Sequence, residues 1–164
     1  MEPSPTNLHK LKHNMQTSPI TIQPYQKQWH NQMVSVWERS ARATHHFVTA
    51  TDLDYYKTRV EQIDFTAFLV YCLTNGDSVL GFIGVTDSQI ETLFLDPAII
   101  GLGFGKMLME FALNELKADR VDVNEQNTQA VNFYSKFGFE TFGRTELDTE
   151  GKPYPILKMK LKTA

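Results

Sequence analysis

Apolar positions along the chain change their spacing several times, and each change marks an element. Ile20 and Ile22 alternate with polar residues in a short strand that stops at Pro24, since proline has no N–H to give a ladder. Trp29, Met33, Val36 and Trp37 then recur at the i, i+4, i+7, i+8 spacing of one helical stripe. A polar connection, Ala43-Thr44-His45-His46-Phe47, leads to a second helix capped by Thr51 or Asp52 and ending near Ile63. Residues 67–73 are apolar and rich in β-forming types, a buried strand. Thr74-Asn75-Gly76-Asp77 folds it back on residues 79–85, and residues 90–95 add a third adjacent strand ended by Asp96-Pro97. Phe104, Met107, Leu108, Phe111, Ala112 and Leu116 mark a further helix, and residues 120–123 a brief strand. Ala130, Phe133, Tyr134 and Phe137 stripe a helix over residues 126–137 that Gly138 stops. Strands at residues 139–145 and 155–161 follow, parted by Asp148-Thr149-Glu150-Gly151-Lys152-Pro153. The order β-α-α-β-β-β-α-β-α-β-β predicts an α/β (α+β) fold, a mixed sheet with helices on both faces.

Charge and composition narrow the function. The chain has 164 residues, 16 Lys plus Arg against 19 Asp plus Glu, a net charge of −3, and 41% hydrophobic residues. Residues 19–164 suit one compact domain that buries roughly two thirds of its unfolded surface. Residues 1–18, polar and carrying Pro3 and Pro5, read as a flexible leader. The lone Cys72 excludes a disulfide framework and a Cys-rich zinc site. No stretch reads as a signal peptide or a membrane span, which points to a cytoplasmic protein with no membrane partner. The mild negative charge offers no footprint for nucleic acid. Small molecules are the expected partners.

One loop concentrates the chemistry. Ile100-Gly101-Leu102-Gly103-Phe104-Gly105-Lys106 lies where a strand ends and a helix begins, so backbone N–H groups converge on the positive end of a helix dipole. Three glycines in five positions suit close approach to a phosphate better than they suit a stable helix start. The Walker pattern fails, because Gly101 to Gly105 is one residue short and Met107 stands where a magnesium-binding hydroxyl belongs. The dinucleotide fingerprint fails too, because Lys106 falls on its third glycine.

Two blocks resemble the GNAT superfamily of N-acetyltransferases across residues 20–161, and the YjaB-like type within it. The glycine loop reproduces the glycines of that family's [QR]-x-x-G-x-[GA] pyrophosphate loop, with Ile100 where the pattern has a polar or basic residue. Asn124-Glu125-Gln126-Asn127-Thr128-Gln129-Ala130-Val131-Asn132-Phe133-Tyr134-Ser135-Lys136-Phe137-Gly138-Phe139 resembles its N-x-x-A-x-x-F-Y-x-K-x-G-F segment. Ala43-Thr44-His45-His46-Phe47 and Gly151-Lys152-Pro153-Tyr154-Pro155 resemble the YjaB-like type in particular.

The resemblance implies a GNAT-like, mostly antiparallel central sheet of six to seven strands with a V-shaped splay between the two central ones. It implies an acetyl-CoA-dependent acyltransferase that passes the acetyl group to a primary amine by direct attack, as a monomer or homodimer and without a metal. A CoA-binding sensor is the non-catalytic alternative. The implied cofactor contacts are the splayed strand Leu93-Phe94-Leu95, the loop Ile100, Gly101, Leu102, Gly103, Phe104, Gly105 and Lys106, and Asn124, Asn127, Phe133 and Tyr134. Tyr134 corresponds to the tyrosine placed to protonate the leaving thiolate, although its stripe alone would also make it a core aromatic. Glu91 is either a base for the amine proton or a solvated strand carboxylate, since its face is not fixed by the sequence. His45 titrates near neutrality as a base should, and His46, Lys152 and Tyr154 lie on the same expected acceptor side.

Overall fold

A computed structural model describes residues 18–163, whose seven strands form a single sheet in the order β1-β2-β3-β4-β5-β7-β6. The leader expected at residues 1–18 lies, apart from Ser18, outside the described residues. The strands are β1 (Ile20–Pro24), β2 (Leu69–Asn75), β3 (Ser78–Thr86), β4 (Gln89–Leu95), β5 (Arg120–Asn124), β6 (Phe139–Thr145) and β7 (Ile156–Leu161). The helices are α1 (His30–Thr44), α2 (Ala50–Glu61), α3 (Phe104–Asn114) and α4 (Thr128–Lys136). All neighbouring strands pair antiparallel except β4 and β5, which run parallel. The mixed, mostly antiparallel sheet implied by the sequence is therefore present.

Strand alternation gives the sheet two apolar faces. On one, Trp29, Met33, Val36, Trp37 and Ala41 from α1 and the turn before it pack with Leu53 of α2 on Val70, Cys72 and Phe82. On the other, Leu108, Met109 and Ala112 of α3 and Tyr134 of α4 pack on Ile83, Val85, Ile90 and Val121. Cys72 is fully buried beside Met33, and burial pushes its thiol up to about 12, so it stays a protonated apolar filler.

Local details differ where two chemistries compete. Thr49, instead of Thr51 or Asp52, caps α2, its hydroxyl accepting from the Asp52 N–H at 3.1 Å. The β2–β3 loop is Gly76-Asp77, because Asn75 is still in register with Ser78 and is buried in the ladder. Asn127 caps α4, which starts at Thr128 rather than at 126. Among the described residues, no helix is long and apolar enough to cross a membrane.

Candidate active site

The sheet opens at its centre. β4 and β5 share only Gln89↔Arg120 and Ile90↔Val121 before they diverge, while β4 stays paired with β3 up to Gly81↔Leu95. Residues 92–95 thus present an unpaired backbone edge to the gap. A β-bulge sits at the mouth of the splay. Val85 faces Ile90 and Gly84 faces Thr92, which leaves Glu91 as the extra residue that a bulge re-aims.

Three cavities meet around this opening. A groove of about 390 Å³ runs along Leu93, Phe94 and Leu95, past Ile100, Gly101, Gly103, Gly105 and Lys106, to Asn127, Phe133 and Tyr134. A cavity of about 200 Å³ fills the splay between β4 and β5. A larger one, about 610 Å³, lies between α1, α2 and the turn before β7, walled by Trp37, Phe65, Phe82 and Phe94 with Glu91 at its edge.

The glycine loop leaves its backbone open at the start of α3. Gly101 and Gly103 hold φ of +83° and +92°, left-handed values that suit glycine, and a Cβ built on either meets nothing within 4 Å. Gly103 is the N-cap of α3, and the first intrahelical bond is Met107 N–H to the Gly103 carbonyl at 3.1 Å. The N–H groups of Gly103, Phe104, Gly105 and Lys106 precede that bond and lack intrahelical acceptors at the positive dipole end. Gly105 is different: its Cβ would stand 3.4 Å from the Phe133 ring and 3.5 Å from Leu95, so its missing side chain leaves room in the groove.

Tyr134 is 7% exposed, its ring edge-on to Phe133 and Phe139, yet it lines both the groove and the splay. Burial raises its phenol above the ordinary range, so it keeps its proton. Glu91 lines the splay and the large cavity, its carboxyl raised by burial first and then by the charge of Asp122. His45, at the C-terminus of α1, lines all three cavities. Burial, followed by the charge of His46, lowers its pKa, which favours the neutral ring.

The other anticipated residues divide. Asn124 lines the splay and the large cavity but not the groove, and Asn127 spends its side-chain carbonyl on the Ala130 N–H. Leu102 is 60% exposed and Phe104 packs on the core, and neither lines any of the three cavities. Tyr154 walls the large cavity and is tied to α2, its hydroxyl donating to Asp52 and accepting from the Thr49 N–H at 3.2 Å. Lys152 is paired with the same Asp52 at 3.0 Å, and neither it nor His46 lines any of these three cavities. Trp37, whose stripe reads as plain core, also walls the large cavity, and Ser40 and Thr44 line the groove. A polar pair at i, i+4 beside that apolar stripe was the available signal.

Asp96 joins the two halves of the site. Its carboxylate accepts from Arg39 of α1 at 2.6 and 3.1 Å and from the Ala98 N–H at 3.0 Å, fixing the chain as it leaves β4 for the glycine loop. Asp96→Ala is expected to cost about 1–2 kcal/mol in thermal unfolding, the worth of a cap plus a partly exposed ion pair, with Asp96→Asn recovering most of the cap. An Asn variant as unstable as Ala would show that the charge, not the cap, carries the effect.

Comparison with known proteins identifies this arrangement. Residues 37–163 match the family model described as an acetyltransferase (GNAT) domain. The chain is similar to the peptidyl-lysine N-acetyltransferase YjaB of Salmonella typhimurium, 42% identical over 131 residues that span 77% of this chain and 88% of that one. The YjaB of Escherichia coli is 37% identical over 85% of this chain and 95% of that one. The solution structure of apo-form YjaB from Escherichia coli superposes with a TM-score of 0.80 at 34% identity, covering 88% of this chain and 99% of that one. PaiA N-acetyltransferase from Thermoplasma acidophilum, solved with coenzyme A, shares the fold with a TM-score of 0.69 at 16% identity, over 87% and 99% of the two chains. The chain belongs to the GNAT family and is an acetyl-CoA-dependent N-acetyltransferase.

Proposed function

We propose that the chain moves the acetyl group of acetyl-CoA to the ε-amino group of a lysine in a protein or peptide, by direct attack in a ternary complex. The observation that carries this reading is the meeting of groove and large cavity at His45, with Glu91 toward the cavity and Tyr134 toward the groove. The names of the YjaB relatives, peptidyl-lysine N-acetyltransferases, agree with it.

The residues present fit acetyl-CoA. Left-handed glycines with open space beside them, four free N–H groups and Lys106 suit its diphosphate, and Leu93, Phe94, Leu95, Asn127 and Phe133 suit the pantetheine arm. The bound molecule supplies an activated acetyl thioester. The acceptor side supplies a sleeve, because Trp37, Phe65, Phe82 and Phe94 can cover the methylene stem of a lysine while its head reaches Glu91.

A lysine arrives as an ammonium and must lose two protons to become an amide nitrogen. Glu91, with a raised proton affinity, takes the first, directly or through a water, and returns it to solvent. The neutral ring of His45 accepts the second as the nitrogen–carbon bond forms and the carbon–sulfur bond breaks. Tyr134 donates its phenolic proton toward the departing sulfur and is reprotonated as His45 releases its own. One proton thus ends on the thiol and one in solvent.

The test is thiol release from acetyl-CoA with lysine peptides set against free small-molecule amines, using the wild type and Glu91→Gln. Lysine peptides are expected to be the better acceptors, and the variant to lose about 10²-fold in kcat. Glu91 is raised from 4.5 and His45 lowered from 6.5, so kcat/KM should fall as the pH drops through the window between those values. Asp122, His46 and Lys106, with Arg59, Asp148 and Glu150 on the wall of the large cavity, are the other titratable groups that face these two. Efficient turnover of small amines with none of any lysine peptide would sink the acceptor assignment.

A further inference from the structure

We infer that Thr44 fixes the tautomer of His45, holding the proton on Nδ1 and leaving Nε2 with a free lone pair where the three cavities meet. Thr44 is then a positioning residue for proton removal, an assignment that rests on the reading of His45 as proton acceptor. The Thr44 hydroxyl lies 2.7 Å from the Ser40 carbonyl oxygen and 2.8 Å from His45 Nδ1. It has one proton to give. The carbonyl can only accept, so the proton goes there, as it does in back-bonding helical threonines. The contact with the imidazole is then a hydrogen bond only if Nδ1 carries a proton and donates it to Oγ1. In a neutral ring that leaves Nε2 bare.

The opposite assignment, with the hydroxyl donating to Nδ1, abandons the 2.7 Å contact and turns Nε2 into a donor, unable to take a proton from the amine. The surroundings hold the ring in place for this exchange. His45 ends α1 with its own N–H on the Ala41 carbonyl at 2.8 Å. Its ring lies against Phe47 and Phe94, with centroids 5.4 and 6.2 Å away. Neither aromatic competes for a ring nitrogen, so Thr44 is the group that decides which nitrogen is protonated.

Imidazole ¹⁵N NMR at a pH where the ring is neutral reads the tautomer directly. The wild type is expected to show His45 with Nδ1 protonated and Nε2 bare, against the preference of an unconstrained imidazole in water. Thr44→Val, which keeps the branched shape and loses the hydroxyl, is expected to shift the ring toward Nε2–H and lower kcat about 10-fold with little change in the KM for acetyl-CoA. Thr44→Ser should restore both. A wild-type ring protonated on Nε2, or a tautomer unmoved in Thr44→Val, overturns the inference; the wild-type spectrum alone decides if the valine variant does not fold. His45→Gln separates the two layers, since full turnover in that variant removes His45 from the reaction while leaving the tautomer result standing.

Discussion

Tyr134→Phe is expected to lower kcat by about 10³-fold while acetyl-CoA binds nearly as before. The substitution removes one oxygen and nothing else. The ring keeps its edge-on contacts with Phe133, at 5.3 Å between centroids, and with Phe139, at 5.9 Å, so α4 keeps its seat on the sheet. Among the described residues, the buried side-chain polar atoms left without a partner are Trp29 Nε1 and the Asn75 amide, not the Tyr134 hydroxyl, and Tyr134 lines both the groove and the splay. Stability should therefore change little, and a loss of rate reports on the reaction itself. The raised phenol pKa gives the effect its form. A group that keeps its proton until the thioester opens is no use as a base, but it can pass that proton along its hydrogen bond as negative charge gathers on the departing sulfur. That interaction exists only late in the reaction, so kcat and kcat/KM should fall together. Thiol release at saturating acetyl-CoA, paired with calorimetric titration, distinguishes the outcomes. A variant that turns over like the wild type removes Tyr134 from the chemistry and leaves it a core aromatic.

What the sequence disclosed and what it withheld follow one physical division. Elements set by local periodicity were legible. The stripe through Phe104, Leu108 and Phe111 marks α3, and the alternation at Ile20 and Ile22 marks β1, because a single element's spacing decides which side meets the core. Properties that belong to two strands at once were not. The face of Glu91 depends on the bulge it makes against Val85 and Gly84, and a bulge is a mismatch between strands far apart in the chain. The same limit hid the outer part of the Trp37 stripe. It is buried as a core residue should be, at 9% exposure, yet it walls a cavity that residues of α2 and of the turn carrying Asp148 also line. The glycine loop was legible as a strand-to-helix joint with left-handed backbone, because three glycines in five positions have few other uses there. The role proposed for Thr44 was not, since a threonine before a histidine acquires meaning only when the end of α1 turns its hydroxyl onto Nδ1.

Gly105→Val is expected to weaken acetyl-CoA binding by at least about 10²-fold, roughly 2.7 kcal/mol, without unfolding the chain. Gly105 is the second residue of α3, where a side chain improves the helix, so Gly105→Ala should be as stable as the wild type or gain up to about 1 kcal/mol. The cost falls on the groove. A Cβ there already touches Phe133 at 3.4 Å and Leu95 at 3.5 Å, and both of those side chains line the groove. Alanine narrows the space and valine fills it, which predicts graded loss of binding against flat or rising stability. Gly101→Ala provides the contrast. Its φ of +83° makes a side chain cost about 1–2 kcal/mol of strain, but nothing lies within 4 Å of the added carbon, so it should lose stability more than it blocks the groove. Titration calorimetry and thermal unfolding on the three variants therefore place them in two classes: a glycine kept for ligand room at 105, and one kept for backbone conformation at 101. If Gly105→Val binds acetyl-CoA like the wild type, the donor does not lie between Leu95 and Phe133, and the groove assigned to it here is the wrong one.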